Sequence, residues 1–218
     1  MAVLEPIKPT ILATRVIANV DRALAEKIGL RDDQRSLAIV TCDIDDALYV
    51  SLDEATKMAE VEVAYAHSFY AGSAHASGPL SGEIIGMLAA PNPAEARAGL
   101  AACIEYAQTR AWFYTADEAG DLAFFAHAIS RTGSYLSKEA GIERGTPMAY
   151  LIAPPLEATF ALDAALKAAD VTPVVWFAPP SETNFSGGFL VGDQSAVVAA
   201  CAAFRDAVLE VAAVPREV

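Results

Sequence analysis

The chain carries one pattern twice. Glu-Ala-Thr occurs at 54–56 and again at 157–159, each time on the way into a helix and then a strand. Upstream, "VIANVDRALAEKIGLRDDQRSLAIV" (16–40) sets against "HAISRTGSYLSKEAGIERGTPMAYL" (127–151) at an offset of 111 positions. Both read as an apolar strand, a short helix, a Gly-containing turn and a second strand. Downstream, "APNPAEARAGLAACIEYA" (90–107) sets against "GDQSAVVAACAAFRDAVL" (192–209) at an offset of 102, each a capped helix that follows a strand. The Glu-Ala-Thr pair lies at an offset of 103, against 111 upstream, so eight extra residues are expected in the first copy, around "TCDIDDALY". Two copies of one α/β module follow, with domains expected at 1–110 and 111–218.

Each copy reads as strand, helix, strand, helix, strand, long loop, strand, helix. Asp53 is a candidate cap for a helix beginning near Glu54, and Pro93 sits in a first-turn position with Glu95 behind it. "MAYLIA" and "VVWFA" are short, continuously apolar runs, the mark of central strands. The Ala-rich helices present small side chains that sit close on a sheet. No G-x-G-x-x-G follows a strand and no G-x-x-x-x-G-K-[ST] occurs, so the module is a ferredoxin-like α+β unit within the α/β class, not a Rossmann or P-loop domain.

Hydrophobic residues make up 54% of the 218 positions and charged residues 20%, against about 45–50% and about 25% in ordinary domains. A chain this apolar is expected to bury surface against copies of itself. The net charge of −13 excludes nucleic acid as a partner and favours small cations. Cys42, Cys103 and Cys201 are odd in number and set among apolar residues without C-x-x-C, which points to reduced, buried thiols in a cytoplasmic setting. No signal peptide is visible at the start. The longest span without Asp, Glu, Lys or Arg, Val63 to Gly82, holds His, Ser, Gly and Pro and is no membrane helix.

Longer stretches carry a resemblance. "IKPTILATRVIANV", "DEATKMAEVEVAYAHSFYAG", "APNPAEARAGL", "SRTGSYLSKEAGI", "AYLIAPPLEATFALDAALKAADV" and "PPSETNFSGGFL" together resemble the EutL family, tandem-domain shell proteins of ethanolamine-utilisation bacterial microcompartments, from about residue 6 to residue 213. Ala90 stands where the family often has Gly, and Cys42 and Ile44 also depart from it. The resemblance implies two circularly permuted shell domains, and a homotrimer forming a flat pseudohexamer that tiles edge to edge with other shell proteins. It further implies a central pore that is open or closed, small pores within each subunit that bind ethanolamine, and cobalamin binding near the axis with no cofactor required.

Two Gly/Ser/Pro-rich segments in corresponding places, 69–82 and 178–188, suit a gate with two backbone arrangements. By resemblance, Tyr70, Gly72, His75, Glu182, Thr183, Asn184 and Phe185 line or plug the central opening. The acids of "DIDD" are either solvated loop surface or ligands: Asp45 or Asp46 would join Glu83 to receive an ammonium group. A carboxylate about 4 Å from an ammonium supplies roughly 4 kcal/mol of gross Coulomb energy at an effective dielectric near 20. An aromatic face adds about 0.5–2 kcal/mol; Phe113 stands where the family's aromatic does, with Trp112 as the adjacent alternative.

Catalysis finds little support. His67, His75 and His127 have no H-x-x-x-H partner, and no G-x-S-x-G elbow is present. His127 reads as a hydrogen-bonded strand histidine; His75 could meet its symmetry copies at a three-fold axis and hold a metal, or do nothing. Lys27, Lys57, Lys138 and Lys167 are candidates for edge contacts. The rival reading is a stand-alone tandem ferredoxin-like regulator that senses a small amine or cofactor; a small Ser or Cys hydrolase would need a nucleophile–His pair that the spacing does not offer.

Overall fold

The computed structural model describes residues 3–69, 80–179 and 185–216. The first copy runs β2 (Ile11–Ile17), α1 (Arg22–Ile28), β3 (Ser36–Cys42), α2 (Asp45–Met58), β4 (Glu62–Ser68), β5 (Ile84–Ala90) and α3 (Pro93–Thr109). The second runs β7 (Ala123–Ile129), α4 (Ser134–Ala140), β8 (Met148–Ala153), α5 (Pro155–Ala168), β9 (Val171–Phe177), β10 (Ser186–Gly192) and α6 (Gln194–Ala213). Two short strands, β1 (Pro6–Ile7) and β6 (Phe113–Thr115), pair with each other and extend the second sheet. All neighbouring strands are antiparallel, in the orders β2-β3-β5-β4 and β1-β6-β7-β8-β10-β9. The chain forms two compact units, one holding Lys8–Ala111 with Gly133–Leu136, the other holding β1, Trp112–Thr132 and the chain from Ser137 onward.

In the first unit, α2 and α3 cover one face of the sheet. Ala38, Val40 and Cys42 of β3 and Ile84, Leu88 and Ala90 of β5 pack against Leu48, Leu52, Ala55, Ala96, Leu100 and Cys103 of those helices. Each fully buried Leu adds roughly 1.5–3 kcal/mol relative to exposure. On the opposite face Leu37 and Ala89 meet Ala25 and Ile28 of α1, whose Asp21 accepts from Ala23 N–H at 2.9 Å and whose end is closed by Gly29. The start of α3 follows the expected chemistry: Asn92 accepts from the N–H groups of Ala94 and Glu95, and Pro93 opens the first turn. The second unit repeats the plan, with α5 and α6 on Leu151, Ala149 and Leu190 through Ala158, Ala161, Ala165, Val197, Ala200 and Phe204. "MAYLIA" is a central strand, buried at all six positions of β8.

"VVWFA" is not central. β9 lies at the sheet's end, with Trp176 63% exposed. Pro173, which has no N–H for a ladder, was the sign of an edge.

The repeat also aligns differently from its letters. α2 and α5 are each 14 residues long and begin at Asp45 and Pro155, a step of 110. Glu-Ala-Thr therefore falls late in α2 and in the first turn of α5, and the two tripeptides are not equivalent. No insertion lies at "TCDIDDALY": Thr41 and Cys42 end β3, and Asp45 begins α2. The step drops to 102 only between Ile84 and Ser186, so the first copy's extra length sits in the β4–β5 connection (69–83) rather than at the helix start. Helix length, set by the sheet it spans, outweighs three matching letters.

Asp53 is likewise inside α2, not at its start. Its carboxylate is 1% exposed and accepts from Gly133 N–H at 2.6 Å and Leu136 N–H at 2.8 Å, while Thr56 Oγ1 accepts from Ser134 N–H at 3.0 Å. These bonds cap the first turn of α4. A Cβ on Gly133 would lie 2.3 Å from Thr56 Oγ1 and 2.4 Å from the Asp53 carbonyl oxygen, so only glycine fits.

The three cysteines are free and buried, and burial pushes the Cys42 and Cys201 thiols up to about 12. No helix among the described residues is long and apolar enough to cross a membrane.

Candidate functional site

Three strand ends meet at one row of the first sheet. Cys42 at the end of β3 pairs with Ile84 at the start of β5, and Ile84 pairs with Ser68 at the end of β4. Register thus draws together the turn after β3, the start of α2, the end of β4 and Glu83. Glu83 N–H donates to the Cys42 carbonyl at 2.8 Å, and the Glu83 carbonyl accepts from Phe69 N–H at 2.8 Å. Gly82 sets the approach: its φ is +66°, and a Cβ there would stand 2.1 Å from the Cys42 oxygen.

The acids of "DIDD" are not a solvated loop. Asp45 and Asp46 form the first turn of α2 and are 9% and 7% exposed. Asp45 Oδ1 accepts from Asp46 N–H at 2.8 Å, and its Oδ2 accepts from Ser68 Oγ at 2.8 Å. Asp43, on the turn, accepts from Thr10 N–H at 2.6 Å. Burial first, then the charges of Asp45 and Asp43, push the Glu83 carboxyl above the ordinary carboxylate range. A cation placed here would relieve both effects.

Acids at a helix start are favoured by its dipole, which is a reason for Asp45 and Asp46 that needs no ligand. The second copy argues otherwise. At corresponding places it has Pro155 and Leu156 for Asp45 and Asp46, Phe177 for Ser68 and Phe185 for Glu83. The same scaffold forms with apolar residues at each of these positions.

Sequence reading brought Asp45, Asp46 and Glu83 forward but missed Ser68, which strand register brings near, and Tyr49, one helical turn after Asp45. Phe113 lies in the second unit, 6% exposed, stacked on Phe125 at 5.0 Å and edge-on to Phe185 at 6.2 Å. Trp112 precedes it in the same unit. Phe185 is partly buried just before β10. Tyr70, Gly72, His75, Glu182, Thr183 and Asn184 lie outside the described residues. His67 is exposed on β4, and His127 is partly buried on β7, stacked on Phe125 at 5.2 Å. Lys57 is 19% exposed and paired with Glu54 and Asp53 on its own helix. Lys167 pairs with Asp163 on the surface, at 74% and 60% exposure. Among the described residues no group of three or more His, Cys, Asp or Glu is arranged to hold a metal ion.

A scan against protein-family models found no match. Among solved structures, the ethanolamine utilization protein EutL of Leptotrichia buccalis superposes with a TM-score of 0.96 at 53% identity, covering 100% of both chains. EutL from Clostridium perfringens superposes at 0.94 with 51% identity, over 98% of this chain and 97% of that one. A trimeric bacterial microcompartment shell protein, PduB, shares the fold at a TM-score of 0.77 and 20% identity, over 94% of this chain and 89% of its own. Two tandem modules of this topology are thus the architecture of a microcompartment shell protein. The Escherichia coli (strain K12) shell protein EutL is 54% identical over 215 residues, 99% of this chain and 98% of that protein. The chain belongs to the EutL family. Its relatives are named as shell proteins, which favours the structural role over the regulatory one.

Proposed function

We propose that three copies of the chain form a pseudohexameric tile of a cytoplasmic microcompartment shell, and that each copy binds ethanolamine at Asp45, Asp46 and Glu83. The tile serves as wall and conduit rather than as a catalyst. What carries the binding reading is the contrast between the copies: acids gather at the strand ends of the first, where the second has Pro155, Leu156, Phe177 and Phe185. Ethanolamine is a cation at neutral pH and suits a buried anionic cluster. Gross attraction of roughly 4 kcal/mol per carboxylate at about 4 Å, reduced by desolvation, gives weak binding suited to passage. By resemblance to the family, a gated opening among three copies completes the tile. Cobalamin near the axis, and other shell proteins at the edges, complete the expected partners.

Two measurements test this. Electron microscopy of the overexpressed protein should show flat sheets or layered arrays; discrete particles without lateral order would favour the regulator. Calorimetry should show ethanolamine binding to the parent and at least a tenfold loss in Asp45→Asn and Glu83→Gln. Equal binding in the variants would remove these residues from the site.

A further inference from the structure

We propose that Tyr49 and Ser68 are positioning residues of the amine site, passing one chain of hydrogen bonds to Asp45 that fixes its carboxylate and holds it as an ionised acceptor. The inference rests on the reading of Asp45 as an amine ligand. Ser68 Oγ donates to Asp45 Oδ2 at 2.8 Å, which uses its one hydrogen. Tyr49 Oη lies 2.7 Å from Ser68 Oγ, so the hydrogen between them comes from the tyrosine. Tyr49 Oη in turn accepts from Ser68 N–H at 2.9 Å. Every donor in the chain therefore points toward the carboxylate. With Asp46 N–H on Oδ1, both oxygens of Asp45 accept a hydrogen bond.

The pieces are rigid. Ser68 is 3% exposed, and the Tyr49 ring stacks on Tyr135 at 6.1 Å, so the hydroxyl is held from behind. Tyr49 follows Asp45 by one helical turn on α2, and Ser68 ends β4. Glu83 at the entry to β5 couples to this carboxylate as a like charge, with Asp46 beside it on α2 and Asp43 on the turn before. With like charges on those sides, the hydroxyl chain and the Asp46 N–H stabilise the ionised form of Asp45. The second copy has Thr159 and Phe177 at the places of Tyr49 and Ser68, so the chain of hydroxyls is absent where the acids are absent.

The test is ethanolamine affinity measured against pH in the full-length parent, Tyr49→Phe, Ser68→Ala and Asp45→Asn. Tyr49→Phe keeps the ring and removes only the hydroxyl. A charge-assisted bond is lost or weakened in each hydroxyl variant, so affinity on the acid limb of the profile should fall by up to about tenfold. The acid limb of the profile should move up by about one pH unit, with most of the affinity recovered at high pH. A carbon-13 titration of the Asp45 carboxyl should show the same upward displacement even where binding is too weak to measure. If Asp45→Asn loses binding while both hydroxyl variants keep the parent's affinity and acid limb, the positioning role is overturned and the amine site stands. A uniform loss at all pH values with an unmoved Asp45 titration also overturns it, since that is what a packing defect gives. If the parent binds no ethanolamine, or Asp45→Asn binds as the parent does, the amine reading falls and the proposal with it.

Discussion

Asp53 accepts two backbone N–H groups with 1% of its surface exposed, and Lys57 Nζ stands 3.9 Å away. Replacing it by Ala leaves Gly133 and Leu136 N–H without acceptors in a buried place. Denaturant unfolding should show a loss of about 3–5 kcal/mol, and Thr56→Val a smaller loss of about 1 kcal/mol. Glu83 has the opposite character, since its charge is held against burial and against Asp45 and Asp43. Its folded-state pKa lies above the ordinary value, so the folded chain holds the proton more tightly than the unfolded one. That contribution favours folding at low pH and is lost as pH rises through the raised value. On the proposed function, amine binding needs the charged carboxylate and strengthens over the same rise. Glu83→Gln should therefore unfold at a slightly higher temperature at pH 7–8, by at most about 1 kcal/mol of stability, while binding ethanolamine less well. Thermal scans at two pH values together with calorimetry check the pair of effects.

Elements explain which parts could be read from the letters. Order and type of the seven elements that recur in each copy were legible, because apolar runs, Asn92-Pro93 and the turn glycines each have a local cause, while the short β1 and β6 and the start of α2 were not. Correspondence between copies was not, because Glu-Ala-Thr recurs at different places in α2 and α5. The acids Asp45, Asp46 and Glu83 could be singled out by charge. Ser68 could not, because only the Cys42–Ile84–Ser68 row brings β4 to α2, and strand register is a long-range property; Tyr49, four residues after Asp45, gained a role only once Ser68 was placed. The turn that enters β5 is the weak point of that row. Gly82→Ala forces a side chain into positive φ against the Cys42 carbonyl and should destabilise the chain by roughly 1–3 kcal/mol, seen in its unfolding midpoint. The central strands and helices also bury the thiols. Cys42, Cys103 and Cys201 should resist a disulfide reagent in the native protein and all react once it is denatured.

Across the whole molecule, one scaffold has been used for two purposes. Both copies build a sheet with two helices on one face, yet only the first gathers acids at its strand ends. The second copy exposes apolar side chains, with Leu156 at 63% and Phe160 at 42% on α5 and Trp176 at 63% on β9, as the first does with Met58 at 66% on α2 and Tyr65 at 46% on β4. Such a surface fits a chain that works beside copies of itself, and sedimentation should show a trimer. On the proposed function, duplication of the fold did not duplicate the amine site. Calorimetric titration of the parent with ethanolamine tests it directly through stoichiometry. One molecule per chain, abolished in Asp45→Asn, is the predicted result; two per chain, or none, would contradict it.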